Sequence, residues 1–152
     1  MNRLAEEILR FLEASKQERV DAGTLAAQVR PHAVADEQPA AEMRRLVSQG
    51  LLREHDGRFS ITEDGRLALR GPHELTLYTR PGCHLCDEAK AKIAPLLRTH
   101  RTSLREVNID EDSVLRARYN EEVPVLFLGA RKVAKFHVDV EQLERQLAAA
   151  GK

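Results

Sequence analysis

The sequence predicts an α/β protein in two parts, a helical N-terminal domain closed by a β-hairpin and a C-terminal domain that alternates strands and helices. Three observations carry this. Amphipathic helical spacing followed by an Asp-Gly turn fills residues 1–70; Gly71-Pro72 breaks the pattern; and a Cys-x-x-C pair stands between a strand signal and a helix signal in residues 73–152.

In the first part, Leu4, Ile8, Leu9 and Leu12 recur at helical spacing with Arg and Glu between them. A second helix is expected over Ala22–Val29, capped by Asp21 and stopped by Pro31. A third is expected over Gln38–Gln49, with Pro39 in its first turn, Gly50 past its end, and Met43, Leu46 and Val47 as its buried stripe. Leu51–His55 and Arg58–Ile61 flank Asp56-Gly57, a strong hairpin signal, and Thr62 can cap a short helix ending near Leu69. Three helices followed by a hairpin describe a winged helix-turn-helix domain over residues 1–70. The run MRRLVSQGLLREHDGRFSITEDGRLAL also resembles the recognition helix and wing of winged-helix transcription regulators.

Gly71-Pro72 is expected to be a short linker. Beyond it the pattern reads β-α-β-α-β-β-α. Leu75–Tyr78 alternates as a strand, and Cys83 to Leu97 carries helical spacing with Ala89, Ile93, Leu96 and Leu97 inward. Pro95 must kink that helix or lie near its end. Leu104–Ile109 is a second strand and Val114–Tyr119 a short helix or turn. Val125–Leu128 and Lys132–Phe136 form a hairpin about Gly129-Ala130, and Val140–Ala149 is a last helix that Asp139 can cap.

The chemistry concentrates in Arg80-Pro81-Gly82-Cys83-His84-Leu85-Cys86. Two intervening residues at a helix start let two sulfurs approach within bonding distance. The first cysteine faces outward, beside free backbone N–H groups and the positive end of the helix dipole, which favours thiolate; the second lies in the first turn and is more buried. Cys83 is therefore the expected nucleophile and Cys86 the resolving residue in disulfide exchange. His84 and Arg80 are expected to tune the thiolate through positive charge.

The segments LTLYTRPGCHLCDEAKAKIAPLL, VNIDED and EEVPVLFLGARKV resemble the glutaredoxin-like branch of the thioredoxin superfamily, over roughly residues 74–150. The resemblance implies a cis Val123-Pro124 peptide beside the dithiol and a Val123 backbone able to pair with an extended substrate. It also implies exchange with a protein or small-molecule disulfide and resetting by an external thiol reductant. Glutathione-using members carry Tyr inside the Cys motif and a Gly-Gly after the hairpin. Here the motif is Cys-His-Leu-Cys, and the later segment is Lys135-Phe136-His137-Val138-Asp139.

Composition narrows the rest. Lys plus Arg and Asp plus Glu both number 24, so net charge gives no pull toward nucleic acid, membrane or acidic substrates. No apolar run approaches the roughly 18 residues of a membrane span. Glu6, Glu7 and Arg10 interrupt the place of a secretory signal, so the expected location is cytoplasmic, with no membrane partner. Two cysteines cannot form a disulfide framework for a chain of this size. No cofactor or resident metal is called for: zinc needs two further ligands, and His84, His100 and His137 lack paired spacing. A cluster shared by two chains and an inert, structural cysteine pair are rival readings.

Nucleic-acid binding is the rival from another class. Arg44 and Arg45 on the third helix and Arg53 and Arg58 on the wing are candidate contacts. Residues 1–70, however, hold 11 Lys or Arg against 12 Asp or Glu, a net of −1, where a DNA-binding domain usually carries a basic face. The alternative function is thus a redox-responsive regulator, binding DNA or protein through the winged helix, with the dithiol as sensor.

Overall fold

The computed structural model describes residues 1–34 and 36–151. The chain divides into two compact units, Met1–Leu69 and Arg70–Lys152.

The first unit begins with α1 (Arg3–Ala14), whose Asn2 side chain accepts the Ala5 N–H at 2.8 Å and whose Leu4, Ile8, Leu9 and Leu12 are buried on one stripe. A two-residue strand, β1 (Val20–Asp21), leads into α2 (Ala22–Val29), where Asp21 caps the helix by accepting from both the backbone N–H and the hydroxyl of Thr24. After a 3-10 turn at Arg30–His32 comes α3 (Pro39–Ser48), which buries Met43 and Leu46 and only partly covers Val47. The hairpin β2 (Leu52–His55) and β3 (Arg58–Ile61) turns at Asp56 and Gly57, with φ of 51° and 75°. Left-handed backbone at both central residues is what an Asp-Gly turn supplies at least cost. The antiparallel sheet runs β1-β3-β2, with Val20 opposite Phe59. The β1 strand is an addition to the sequence expectation, since two residues carry no period to detect. Thr62 caps α4 (Glu63–Ala68): its Oγ1 accepts from Gly65 N–H at 3.0 Å and donates to the Gly50 carbonyl at 2.7 Å.

Gly71-Pro72 departs from the expected linker. Gly71 N–H donates to the Glu74 carboxylate at 2.6 Å, its carbonyl accepts from Glu74 N–H, and the Glu74 carbonyl accepts from Gly129 N–H at 2.8 Å. These bonds build residues 71–74 into the second unit as a turn.

That unit holds a four-stranded sheet in the order β5-β4-β6-β7, from β4 (Leu75–Thr79), β5 (Leu104–Asn108), β6 (Val125–Leu128) and β7 (Arg131–Lys135). β4 and β5 are parallel, joined by α5 (His84–Thr99); β6 and β7 are antiparallel neighbours. Pro95 lies inside α5, near its C-terminal end, as its missing N–H requires. Strand alternation divides the sheet's burial. Leu75, Leu77, Leu126 and Leu128 join Ala89 and Ile93 of α5 and Leu143 and Leu147 of α7 (Val140–Ala150) in one apolar layer. Tyr78 instead stacks on Tyr119 of α6 (Ser113–Tyr119) at 5.0 Å between ring centroids and meets Phe127 edge-on at 5.5 Å. Asp139 caps α7 through Gln142 N–H at 3.1 Å.

Candidate functional site

β4 ends at Thr79 and α5 starts at His84, so the Cys83 loop occupies a strand-to-helix turn at the edge of two elements buried in the core. Gly82 makes that turn with φ 74°, in open space, and Cys83 takes the N-cap position. The Cys83 sulfur accepts the Cys86 N–H at 3.2 Å, where a Ser or Asp would ordinarily cap. Both cysteines are free thiols, Cys83 partly exposed and Cys86 buried. Burial pushes the Cys86 thiol above its ordinary value, and a hydrogen bond with Cys83 adds to this. Opposing bonds come from the Thr79 hydroxyl and the Arg80 backbone. The two thiols therefore interact at the helix start, with Cys83 partly exposed and Cys86 buried.

The sheet register brings Pro124 to this turn. Tyr78 pairs with Val125, so Thr79 and Pro124 are the next residues of adjacent strands. The Val123-Pro124 peptide is cis and Pro124 is buried. Val123 differs from expectation in one respect: its N–H donates to the Tyr119 carbonyl at 3.2 Å. The end of α6 has thus taken that donor.

Arg80 also differs. Its guanidinium donates to Asp110 Oδ1 at 2.9 Å, to Asn120 Oδ1 at 2.7 Å and to the Asn120 carbonyl at 3.1 Å. Its charge pairs with Asp110, so it fixes the Cys loop to the 3-10 turn at Ile109–Glu111 and to the end of α6. Asp110 and Asn120 were not singled out by sequence reasoning, because partners 30 and 40 residues away leave no local pattern. His84 is exposed as the first residue of α5.

The four candidate nucleic-acid residues all lie in the first unit and are exposed: Arg44 and Arg45 on α3, Arg53 on β2 and Arg58 on β3. Arg45 is paired with Glu42. Among the described residues no three His, Cys, Asp or Glu side chains gather as a metal site would require. None of the described helices is long and apolar enough to cross a membrane.

Comparison with known proteins gives this geometry a family. Residues 74–148 match the family model described as Glutaredoxin-like domain (DUF836). A glutaredoxin-like protein of Dictyostelium discoideum is 29% identical over 75 residues, a stretch covering 45% of this chain and 69% of that protein. A structural-genomics target protein from X. campestris, known by X-ray structure, is 36% identical over 49% of this chain and 96% of its own, with a TM-score of 0.41. A protein from Nitrosomonas europaea, solved in solution, is 32% identical over 47% of this chain and 87% of its own, with a TM-score of 0.44. Residues 74–148 thus form a glutaredoxin-like domain.

Proposed function

We propose that the protein is a thiol–disulfide oxidoreductase acting through Cys83 and Cys86. The Cys83 thiolate attacks one sulfur of a substrate disulfide, forming a mixed disulfide and expelling the first substrate thiolate. Cys86 loses its proton and attacks the Cys83 sulfur, which forms the Cys83–Cys86 disulfide and expels the second thiolate. Two electrons pass to the substrate, and an external thiol reductant returns them to the pair. The main support is the asymmetry of the pair, Cys83 partly exposed at a helix start and accepting the Cys86 N–H, and Cys86 buried in the first turn. Pro124 bounds the substrate face, and the Val123 carbonyl is the candidate pairing group.

Reduction of insulin by dithiothreitol, monitored with each single-cysteine variant, tests this. Cys83→Ser is expected to abolish turnover and Cys86→Ser to accumulate mixed disulfides. Full reductase activity in Cys83→Ser would remove Cys83 as nucleophile.

A second reading, a redox-responsive winged-helix regulator, is supported by the topology of residues 1–69. Three helices precede a hairpin whose β3 pairs with the short β1, and Arg44, Arg53 and Arg58 are exposed. Binding to random duplex DNA at low salt, compared for the reduced and oxidised protein, tests it. Absence of a shift at micromolar protein would set the DNA form of it aside, and equal affinity in the two states would remove the sensor role.

A further inference from the structure

β4 and α5 pack along matching stripes. Strand alternation puts Leu75, Leu77 and Thr79 on one face of β4, and Leu75 and Leu77 lie in the apolar layer with Ala89 and Ile93 of α5. Helical spacing puts Cys86 on the stripe of Ala89 and Ile93, in the first turn of α5. Thr79 and Cys86 therefore meet at the end of that layer, one closing the strand's stripe and the other opening the helix's. Thr79 is the polar member of its stripe, half-buried, and its hydroxyl hydrogen-bonds the Cys86 thiol. Its backbone is fixed by pairing with Asn108 of β5.

Cys86 needs such a partner. The residue is 1% exposed, so water gives its sulfur little solvation. The other hydrogen-bond partners of the thiol are Cys83 and the Arg80 backbone. In the mixed disulfide the Cys83 sulfur is neutral and has no proton to donate. A thiolate formed at Cys86 is then held by the Thr79 hydroxyl and the Arg80 backbone, neither of them charged. A hydroxyl stays protonated at working pH, so Thr79 acts as a donor and not as a base.

We infer that the Thr79 hydroxyl is the donor that stabilises the Cys86 thiolate in the resolving step. The inference rests on the thiol-exchange function proposed above and adds a catalytic residue to it. Cys86 gives up its proton and its thiolate attacks the Cys83 sulfur. The bond from Cys83 to the substrate sulfur breaks, and the expelled substrate thiolate takes up a proton. One thiol and one mixed disulfide become one Cys83–Cys86 disulfide and one substrate thiol, with Thr79 unchanged. A hydrogen bond to a charged group shifts an equilibrium about tenfold to a hundredfold, so its loss cuts the thiolate fraction by that factor. The freed thiolate is the better nucleophile, which returns about half of the logarithm of that loss.

The test mixes reduced full-length protein with excess hydroxyethyl disulfide, without reductant, and follows mercaptoethanol release by quenched flow. The first equivalent reports attack by Cys83 and scales with disulfide concentration. The second reports resolution by Cys86 and reaches a plateau. Thr79→Val keeps the shape of the side chain without the hydroxyl, Thr79→Ala removes the hydroxyl in a second way, and Thr79→Ser retains it. At pH 7 the valine and alanine variants are expected to resolve about threefold to tenfold more slowly than wild type. Their first step, and both steps of Thr79→Ser, should stay within twofold of wild type. The deficit should shrink as pH rises, because every variant then approaches full thiolate. Resolution at the wild-type rate in Thr79→Val and Thr79→Ala, a slowing of the same size at every pH, or an equal slowing of both steps would overturn the donor role while leaving thiol exchange standing. Wild-type protein that releases no mercaptoethanol would overturn both.

Discussion

Replacing Arg80 with methionine keeps an unbranched stem and removes three hydrogen bonds, two to Asn120 and one to Asp110. The magnitude follows from how wet each bond is. The Arg80 and Asp110 side chains are 27% and 40% exposed, so water screens their ion pair and its share is about 0.5 kcal/mol. The two bonds to Asn120 use a charged donor, but Asn120 is exposed and its oxygens return to water in the variant. They contribute about 0.7 kcal/mol each, the low end of the usual range. The sum is about 2 kcal/mol. Tyrosine fluorescence isolates the event, because the chain has no Trp and both tyrosines, Tyr78 and Tyr119, are stacked in the second unit. With a urea m-value of about 2 kcal/mol/M, the reduced full-length variant should unfold about 1 M earlier, with m unchanged. Raising the salt should recover only the ion-pair fraction, about a quarter of the loss. A loss under about 0.5 kcal/mol, or one that vanishes in high salt, would refute the view of Arg80 as a neutral-acceptor clamp.

Gly65→Ala should destabilise the first unit by about 2 kcal/mol. An added Cβ would lie 2.3 Å from the Leu51 carbonyl oxygen and 2.7 Å from Ile61 Cγ1, and backbone cannot yield as a side-chain tip can. An unchanged thermal melt by circular dichroism would contradict this. For the reduced protein, the raised pKa of Cys86 means that the folded state holds the thiol proton more tightly than the unfolded chain does. Its stabilising contribution is whole below the ordinary value of 9.0 and is lost as pH climbs above it. The urea midpoint of wild type should therefore fall relative to that of Cys86→Ala above pH 9, and a constant difference from pH 7 to 10 would show the thiol to be unperturbed.

Local signals were legible wherever a short segment imposes its own geometry. The stripe of Leu4, Ile8, Leu9 and Leu12 reads as a helix because 3.6-residue spacing puts all four on one face, and each is buried. Asp56-Gly57 reads as a hairpin because few other pairs accept two positive φ angles in succession. Cys83 and Cys86 read as a pair because a helix start sets their separation, and the structure adds that one sulfur caps the helix that holds the other. Asp139 was expected to cap α7, and it does.

What sequence could determine about this protein was therefore the short-range part: which segments are helix or strand, and which two cysteines share a helix start. Tertiary structure decided the remainder. It tied Arg80 to Asp110 and Asn120, 30 and 40 residues along the chain. It engaged the Val123 N–H with Tyr119, built Gly71 into a turn, and left Phe136 exposed in a left-handed position beside Pro124. Each of these outcomes depends on a partner brought near by chain folding or on a backbone angle set by long-range bonds, and neither leaves a periodic trace in the order of residues.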